Sequence, residues 1–326
     1  MKALLCKAFG PLENLRVEDI EAPTAGPGQV LVSIRAAALN FPDALIVQGL
    51  YQVKPALPFS PGAEFAGVVK TVGEGVSHLK VGDRVMALVP HGALAEECAV
   101  DARGVIPLPD DMDFVTGSAL LLTYCTSLHA LNDVARLAAS ETLLVLGASG
   151  GVGIAAIEIG KLMGARVIAA ASSEEKLALC REHGADETID YARDDLRERV
   201  DALTEKRGVD VVYDAVGGAY SEVALRATGW GGRLLVVGFA TGDIPRLPLN
   251  LALLKERQIL GVYWGDWAKR NPKLQQAHLL QLLEWFRDGK IAPPVTEQLP
   301  LSGAVDALQR MARREVRGKL VVLAGH

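Results

Sequence analysis

From Leu143 to Gly153 the chain reads Leu-Leu-Val-Leu-Gly-Ala-Ser-Gly-Gly-Val-Gly, and the apolar run Ile154 to Met163 follows at helical spacing. A short strand, a glycine-rich bend and a helix in that order make a seat for an anion. Glycines let the backbone come close to a diphosphate, and the amides at the helix N-terminus, with the helix dipole behind them, stabilise its charge. Alone, such a bend also fits an ordinary strand-to-helix connection. A following strand and further strand–helix alternations of the right unit length turn the reading to a dinucleotide, with Ala148, Ser149, Gly150, Gly151, Val152 and Gly153 against its diphosphate.

Whether that dinucleotide is NADH or NADPH turns on the tip of the second strand, which reads Ala170-Ala171-Ser172-Ser173. NAD-binding sites place an acidic side chain there, and Glu174 stands near the expected ~20 residues after the last glycine. Ser172-x-x-Glu175, however, has the form of a capping box, which puts Glu174 and Glu175 into the first helical turn. Ser172, Ser173 and Lys176 then face the ribose, a small polar and cationic set suited to a 2′-phosphate. The balance favours NADPH over NADH, with a solvated helix lysine as the bland alternative for Lys176.

These motifs need a scaffold. The first ~115 residues carry short runs bounded by turn residues, Gln29 to Arg35, Ala66 to Val72 and Arg84 to Val89, in an all-β style. From Thr142 the texture changes to a parallel α/β pattern with six strands: Thr142 to Leu146, Arg166 to Ala171, Glu187 to Ile189, Val209 to Tyr213, Arg233 to Val237 and Gln258 to Tyr263. Six strands complete a doubly wound Rossmann sheet. Helices over 272–288 and 302–314 and a last strand, Lys319 to Leu323, are therefore assigned to the first domain. The expected division is 1–124 with 267–326, and 125–266 inserted. Trp264 and Trp267, after the sixth strand, either wall a pocket or cover the sheet edge in a homodimer; the apolar edge run favours the dimer.

Half of the residues are apolar and 22% are charged, the balance of a globular chain. A net charge of −5 with no block of like charges lacks the footprint that nucleic acid or anionic membranes select. Cys6, Cys98, Cys125 and Cys180 stand singly, without disulfide or metal-knuckle spacing, which fits reduced thiols in a cytoplasmic protein. No apolar stretch reaches the ~18 residues of a membrane span.

The chain resembles the zinc-free quinone oxidoreductase (zeta-crystallin) branch of the medium-chain dehydrogenase/reductase superfamily. The resemblance runs nearly end to end. It is carried by Asn40-Phe41-Pro42-Asp43 with Gly49-Leu50-Tyr51, by Pro61-Gly62-Ala63-Glu64-Phe65-Ala66-Gly67, by Val81-Gly82-Asp83-Arg84-Val85, by the glycine bend, by Asp214-Ala215-Val216-Gly217-Gly218, by Val237-Gly238-Phe239 and by Gly261-Val262-Tyr263-Trp264-Gly265. It implies a GroES-like, mainly-β catalytic domain plus a Rossmann domain, with the nicotinamide lined by Asn40, Asp43, Tyr51 and Phe239. It also implies Lys176, Tyr191 and Arg314 around the adenosine 2′-phosphate; for the last two, ordinary surface positions are an even alternative. One departure is Leu45, where some quinone reductases have a tyrosine.

Zinc-dependent relatives carry Gly-His-Glu where this chain has Gly62-Ala63-Glu64, a Cys ligand near 40–43, and a second lobe of four cysteines where Cys98 stands alone. No zinc is expected. Without a Lewis acid, acceptors already activated by conjugation are the sensible substrates. The expected reaction is hydride transfer to a quinone or enone, with Asn40 and Tyr51 hydrogen bonding to the developing oxygen and Tyr51 or solvent supplying the proton. An enoyl-thioester reductase is the rival, for which Lys255, Arg257, Lys269 and Arg270 offer a basic surface. A crystallin-like or nucleic-acid-binding role is the non-catalytic alternative.

Overall fold

The computed structural model describes residues 1–324. They form two compact units, Met1–Leu122 together with the residues from Pro293 onward, and Thr123–Ala292. In chain order the first stretch gives β1 (Lys2–Leu5), β2 (Arg16–Asp19), β3 (Gln29–Ala38), α1 (Phe41–Val47), β4 (Glu64–Val72), β5 (Arg84–Leu88), β6 (Glu97–Asp101), β7 (Val105–Pro107) and α2 (Phe114–Ser118). Then come α3 (Leu121–Leu128), a π-helical turn at His129–Val134, β8 (Thr142–Leu146), α4 (Gly151–Leu162), β9 (Arg166–Ala171), α5 (Glu174–Glu182), β10 (Glu187–Asp190), α6 (Leu196–Leu203), β11 (Val209–Asp214), α7 (Ala219–Arg226) and β12 (Thr228–Val236). The last stretch holds α8 (Asn250–Leu253), β13 (Gln258–Gly261), α9 (Trp264–Arg270), α10 (Pro272–Arg287), β14 (Val295–Pro300), α11 (Ala304–Ala312) and β15 (Lys319–Leu323).

The second unit is one parallel sheet in the order β10-β9-β8-β11-β12-β13, which is 3-2-1-4-5-6 in order of occurrence, the dinucleotide-binding topology. Its central strand, β8, is buried from Leu143 to Leu146 on both faces, which is why it reads as an unbroken apolar run. Parallel β8 and β11 are neighbours, and the strands that follow them are added on opposite sides, β9 and β10 beyond β8 and β12 and β13 beyond β11, so the connections leaving them diverge at a switch point. That is where a doubly wound sheet leaves a crevice.

The first unit is built on a sheet ordered β14-β15-β3-β4-β5-β7, with β6 also paired to β3. Strand β15 lies antiparallel to β3, with Val321 opposite Ala38. Its core gathers Val32, Ile34, Phe65, Val85 and Leu94 with Leu308 and Val322 from the returning tail.

The return to the first unit falls at Pro293, not at 267 as the strand count suggested. The reason is packing by Trp267. Its ring stacks 4.1 Å from His129 and 5.2 Å from His278, so α9 and α10 are fastened to the π-helical turn of the second unit. Trp264 Nε1 donates to Gln275 Oε1 at 2.7 Å. Both tryptophans are half-buried and make these contacts inside their own unit.

This stack has a pH signature. Burial lowers the pKa of His278 below the ordinary histidine value, against the pull of Asp133, whose Oδ1 is 3.5 Å from Nε2. The buried Nδ1 has no hydrogen-bond partner among the described residues, so a proton there would be left unsatisfied. The unfolded chain therefore binds the proton more readily. The stabilisation is whole above about pH 6.5 and is lost as pH falls below it. Thermal midpoints measured from pH 7.5 to 5 should drop in the wild type, and His278→Gln should flatten that slope; parallel slopes would remove His278 as the cause.

Candidate active site

The glycine bend leaves the end of β8 with Gly147 at φ +65°, a conformation that favours glycine. Ala148 N–H donates to Ala170 O at 3.1 Å, which ties the bend to β9, and Gly150 becomes the N-cap of α4. A Cβ on Gly153 would lie 2.6 Å from both Ala148 O and Gly147 O, so helix and bend meet there without room for any side chain. No side chain caps α4. The amides of Gly151, Val152 and Gly153, with the helix dipole, are thus available for an anion. Ser127 Oγ, from α3, donates to Val152 O at 2.9 Å and is itself 2.9 Å from the buried Tyr213 hydroxyl, so the first turn is braced from behind.

At the end of β9 the helix cap is Ser173, not Ser172: Ser173 Oγ accepts from Lys176 N–H. Either serine has the right side chain; the strand ends at Ala171 as expected, and the helix begins one residue later than the capping-box reading placed it. Lys176 Nζ donates to Ser172 Oγ at 3.2 Å. Glu174 and Glu175 fall in the first helical turn as expected, exposed, and Glu174 is paired with Arg181. No carboxylate occupies the strand tip. Tyr191 follows β10, its N–H on Ala171 O, and its ring packs 4.6 Å from that of Tyr220.

On the other side of the switch point, Asp214 ends β11 and accepts from the amides of Val216 and Gly217, both at 2.9 Å, and from Ser221. The loop after β12 lies on this turn: a Cβ at Gly217 would come within 2.8 Å of the Phe239 ring. Residues 148–153, Ser172, Ser173, Lys176, Tyr191 and Phe239 all stand at the C-terminal ends of strands of the second unit. Arg314, exposed after α11, belongs to the first unit with Asn40, Asp43 and Tyr51.

In the first unit Asn40 and Asp43 prove to be part of a buried cluster that also holds Glu64 and Lys319. Lys319 Nζ donates to Asn40 Oδ1 at 2.6 Å and to Leu39 O at 3.0 Å, and lies 3.8 Å from Glu64. Asn40 Nδ2 donates to Glu64 Oε2 at 3.0 Å and to Ala38 O at 3.2 Å. A lysine can only donate and a carboxylate only accept, so the amide of Asn40 has one orientation. Both its N–H groups are spent. Asn40 is thus held within the cluster by both ends of its amide. Asp43 accepts from Asn40 N–H at 2.8 Å and starts α1. Burial pushes the Asp43 carboxyl up to about 7, against the nearby ammonium, raises Glu64 and lowers Lys319. Glu64 was marked only by its place in the Gly62-Ala63-Glu64 motif and Lys319 only as the start of the last strand, so neither was expected in the site.

Tyr51, half-buried, packs against the first-unit core just after α1.

Residues 26–110 match the alcohol dehydrogenase GroES-like domain and residues 151–284 the zinc-binding dehydrogenase family. A quinone oxidoreductase of Pseudomonas aeruginosa is 36% identical over 326 residues, covering 99% of each chain. A quinone oxidoreductase-like protein 2 homolog of Nematostella vectensis is 36% identical over 98% of this chain and 88% of its own. The chain belongs to the quinone oxidoreductase branch of the medium-chain dehydrogenases and reductases. Among solved structures, a mycobacterial protein complexed with NADPH superposes on 99% of this chain and 100% of its own with a TM-score of 0.92 at 30% identity. No group of three or more His, Cys, Asp or Glu side chains that could hold a metal ion occurs among the described residues.

Proposed function

We propose that this quinone oxidoreductase is an NADPH-dependent reductase that passes hydride to a quinone or another α,β-unsaturated carbonyl compound. The observation that carries the reading is the uncapped N-terminus of α4, set behind a bend into which no Cβ fits at Gly153. The amides of residues 151–153 hold the diphosphate, and Ser172, Ser173 and Lys176 hold the 2′-phosphate, with Tyr191 as a further candidate. Bound there, the nicotinamide supplies the hydride, and the protein supplies placement and charge stabilisation. Phe239 walls the nicotinamide face.

Of Asn40, Asp43 and Tyr51, Tyr51 alone carries a hydroxyl and is the candidate to meet the developing oxyanion, while Asn40 and Asp43 belong to the cluster and hold the start of α1. Tyr51→Phe should lower kcat with an enone by about tenfold, within the range of lost acid or hydrogen-bond catalysis, and leave NADPH binding unchanged. Full turnover by that variant would take Tyr51 out of the mechanism. Assayed beside a quinone and an enone, a CoA ester tests the thioester reading. Its basic surface is already weakened: Arg257 is buried, donating to the carbonyls of Leu251, Arg226 and Thr228, and Arg270 is paired with Asp266.

Of the two edge strands of the parallel sheet, β10 and β13, it is β13 that is flanked by exposed apolar side chains. Around it Leu249, Leu253, Leu254, Ile259 and Tyr263 are exposed. A second copy of the chain covers this face, as exposed apolar edges require. Sedimentation should give twice the 34.6 kDa chain mass; a monomer at micromolar concentration would end this part of the reading. No helix among the described residues is long and apolar enough to cross a membrane. The net charge of −5 speaks against nucleic acid, and the four buried cysteines, none of them in a disulfide, support a reducing, cytoplasmic setting.

A further inference from the structure

Two turns beyond the glycine bend, α4 carries a carboxylate on its buried face among Ile154, Ala155, Ile157 and Ile159. Glu158 is 8% exposed. Tyr124 Oη donates to its Oε2 at 2.6 Å, His183 Nδ1 meets Oε1 at 2.7 Å, and the N–H of Ala292 reaches both oxygens at 3.2 Å. A leucine would fill this position without the cost of a buried charge. The partners show what the charge is kept for.

The second unit starts at Thr123 and stops at Ala292. Tyr124 is therefore one residue past the point where the chain enters, and Ala292 is the last residue before it leaves. One carboxylate holds both crossings. His183 caps the C-terminal end of α5, the helix whose first turn carries Ser173 and Lys176. Glu158 itself belongs to the helix whose first turn faces the diphosphate. Four segments meet at one side chain, two that hold the cofactor and two that lead to the other unit.

We propose that Glu158 is a positioning residue that transmits cofactor occupancy from α4 and α5 to the two chain crossings. The inference rests on the reading that these helices hold NADPH. An ordered α4 and α5 fix the carboxylate, and the fixed carboxylate orders Tyr124 and Ala292, so the joints tighten when the dinucleotide is bound.

Hydrogen exchange on the full-length protein, with and without NADPH, reads the effect in peptides covering 120–126 and 290–295. In the wild type NADPH should slow exchange in both by about tenfold, a coupling of ordinary size. Glu158→Gln, which puts a donor where the amide of Ala292 and the hydroxyl of Tyr124 need an acceptor, should lose that slowing. NADPH should bind it with unchanged KM while kcat falls by about tenfold. Should Glu158→Gln not fold, Tyr124→Phe removes one hydroxyl and should lose the response at 120–126 only. Undiminished NADPH-dependent slowing in either variant overturns the proposal, as does a wild type that binds NADPH without slowing at the joints. A wild type that binds no NADPH overturns the functional reading and this inference together.

Discussion

Lys319→Met should cost the first unit about 3–5 kcal/mol of stability at pH 8, the usual penalty for stripping the counter-ion from a buried charge cluster. Asp43 and Glu64 are fully buried, and Lys319 is the ammonium beside them. Its loss also removes the donor from Asn40 Oδ1 and Leu39 O. Methionine matches the lysine stem in length, so the effect isolates the charge. Its pH dependence tells charge from packing. A carboxyl whose pKa is raised in the fold holds its proton longer there than in the unfolded chain, so its burial weakens the fold as pH rises from about 4 through about 7 for Asp43. Without the ammonium that penalty grows. Urea denaturation should show a deficit for Lys319→Met that is large at pH 8 and shrinks by pH 5.5, and adding Glu64→Gln should recover part of it. Equal deficits at both pH values would mean the ammonium does nothing beyond filling space.

Gly153→Ala should abolish useful dinucleotide binding, weakening NADPH by a hundredfold or more, about 2.7 kcal/mol. The added Cβ would lie 2.6 Å from two carbonyl oxygens and 2.7 Å from Ala148 C, all backbone atoms, so the bend must open and its amides swing off target. Gly150→Ala separates binding from folding. Its φ is −79° and the nearest atom to its Cβ is Gly147 O at 3.4 Å, so the bend keeps its shape. That variant should melt like the wild type and yet bind NADPH more weakly, because the methyl points where the diphosphate must approach. Calorimetric titration of both variants decides the matter: wild-type affinity in Gly153→Ala would mean the diphosphate sits elsewhere.

What could be read from the chain was what neighbours in sequence decide. The strand Thr142 to Leu146, the bend at Gly147 and the helix after it are written in one contiguous stretch, and the strand Arg166 to Ala171 has the expected bounds. The cap after β9 was placed one residue early because two adjacent serines satisfy the same rule. The return of the chain was placed at 267 because six strands close the sheet; the ring of Trp267 between His129 and His278, residues far apart in sequence, moved it to 293. The cluster around Asn40 was illegible for a similar reason. Beside the local bond to Ala38 O, its amide is held by Glu64 and Lys319, which arrive from distant strands.

That last arrival has a consequence for how the polypeptide is made on the ribosome. Glu64 and Asp43 emerge early, but the ammonium that neutralises them, and the strand that completes the sheet beside β3, are translated only after the whole inserted unit. At ordinary elongation speeds the delay is roughly ten seconds or more. During that interval the nascent N-terminal segment holds two uncompensated acids and an open sheet edge, so it must wait, hydrated or chaperone-bound, while the nucleotide-binding half folds ahead of it.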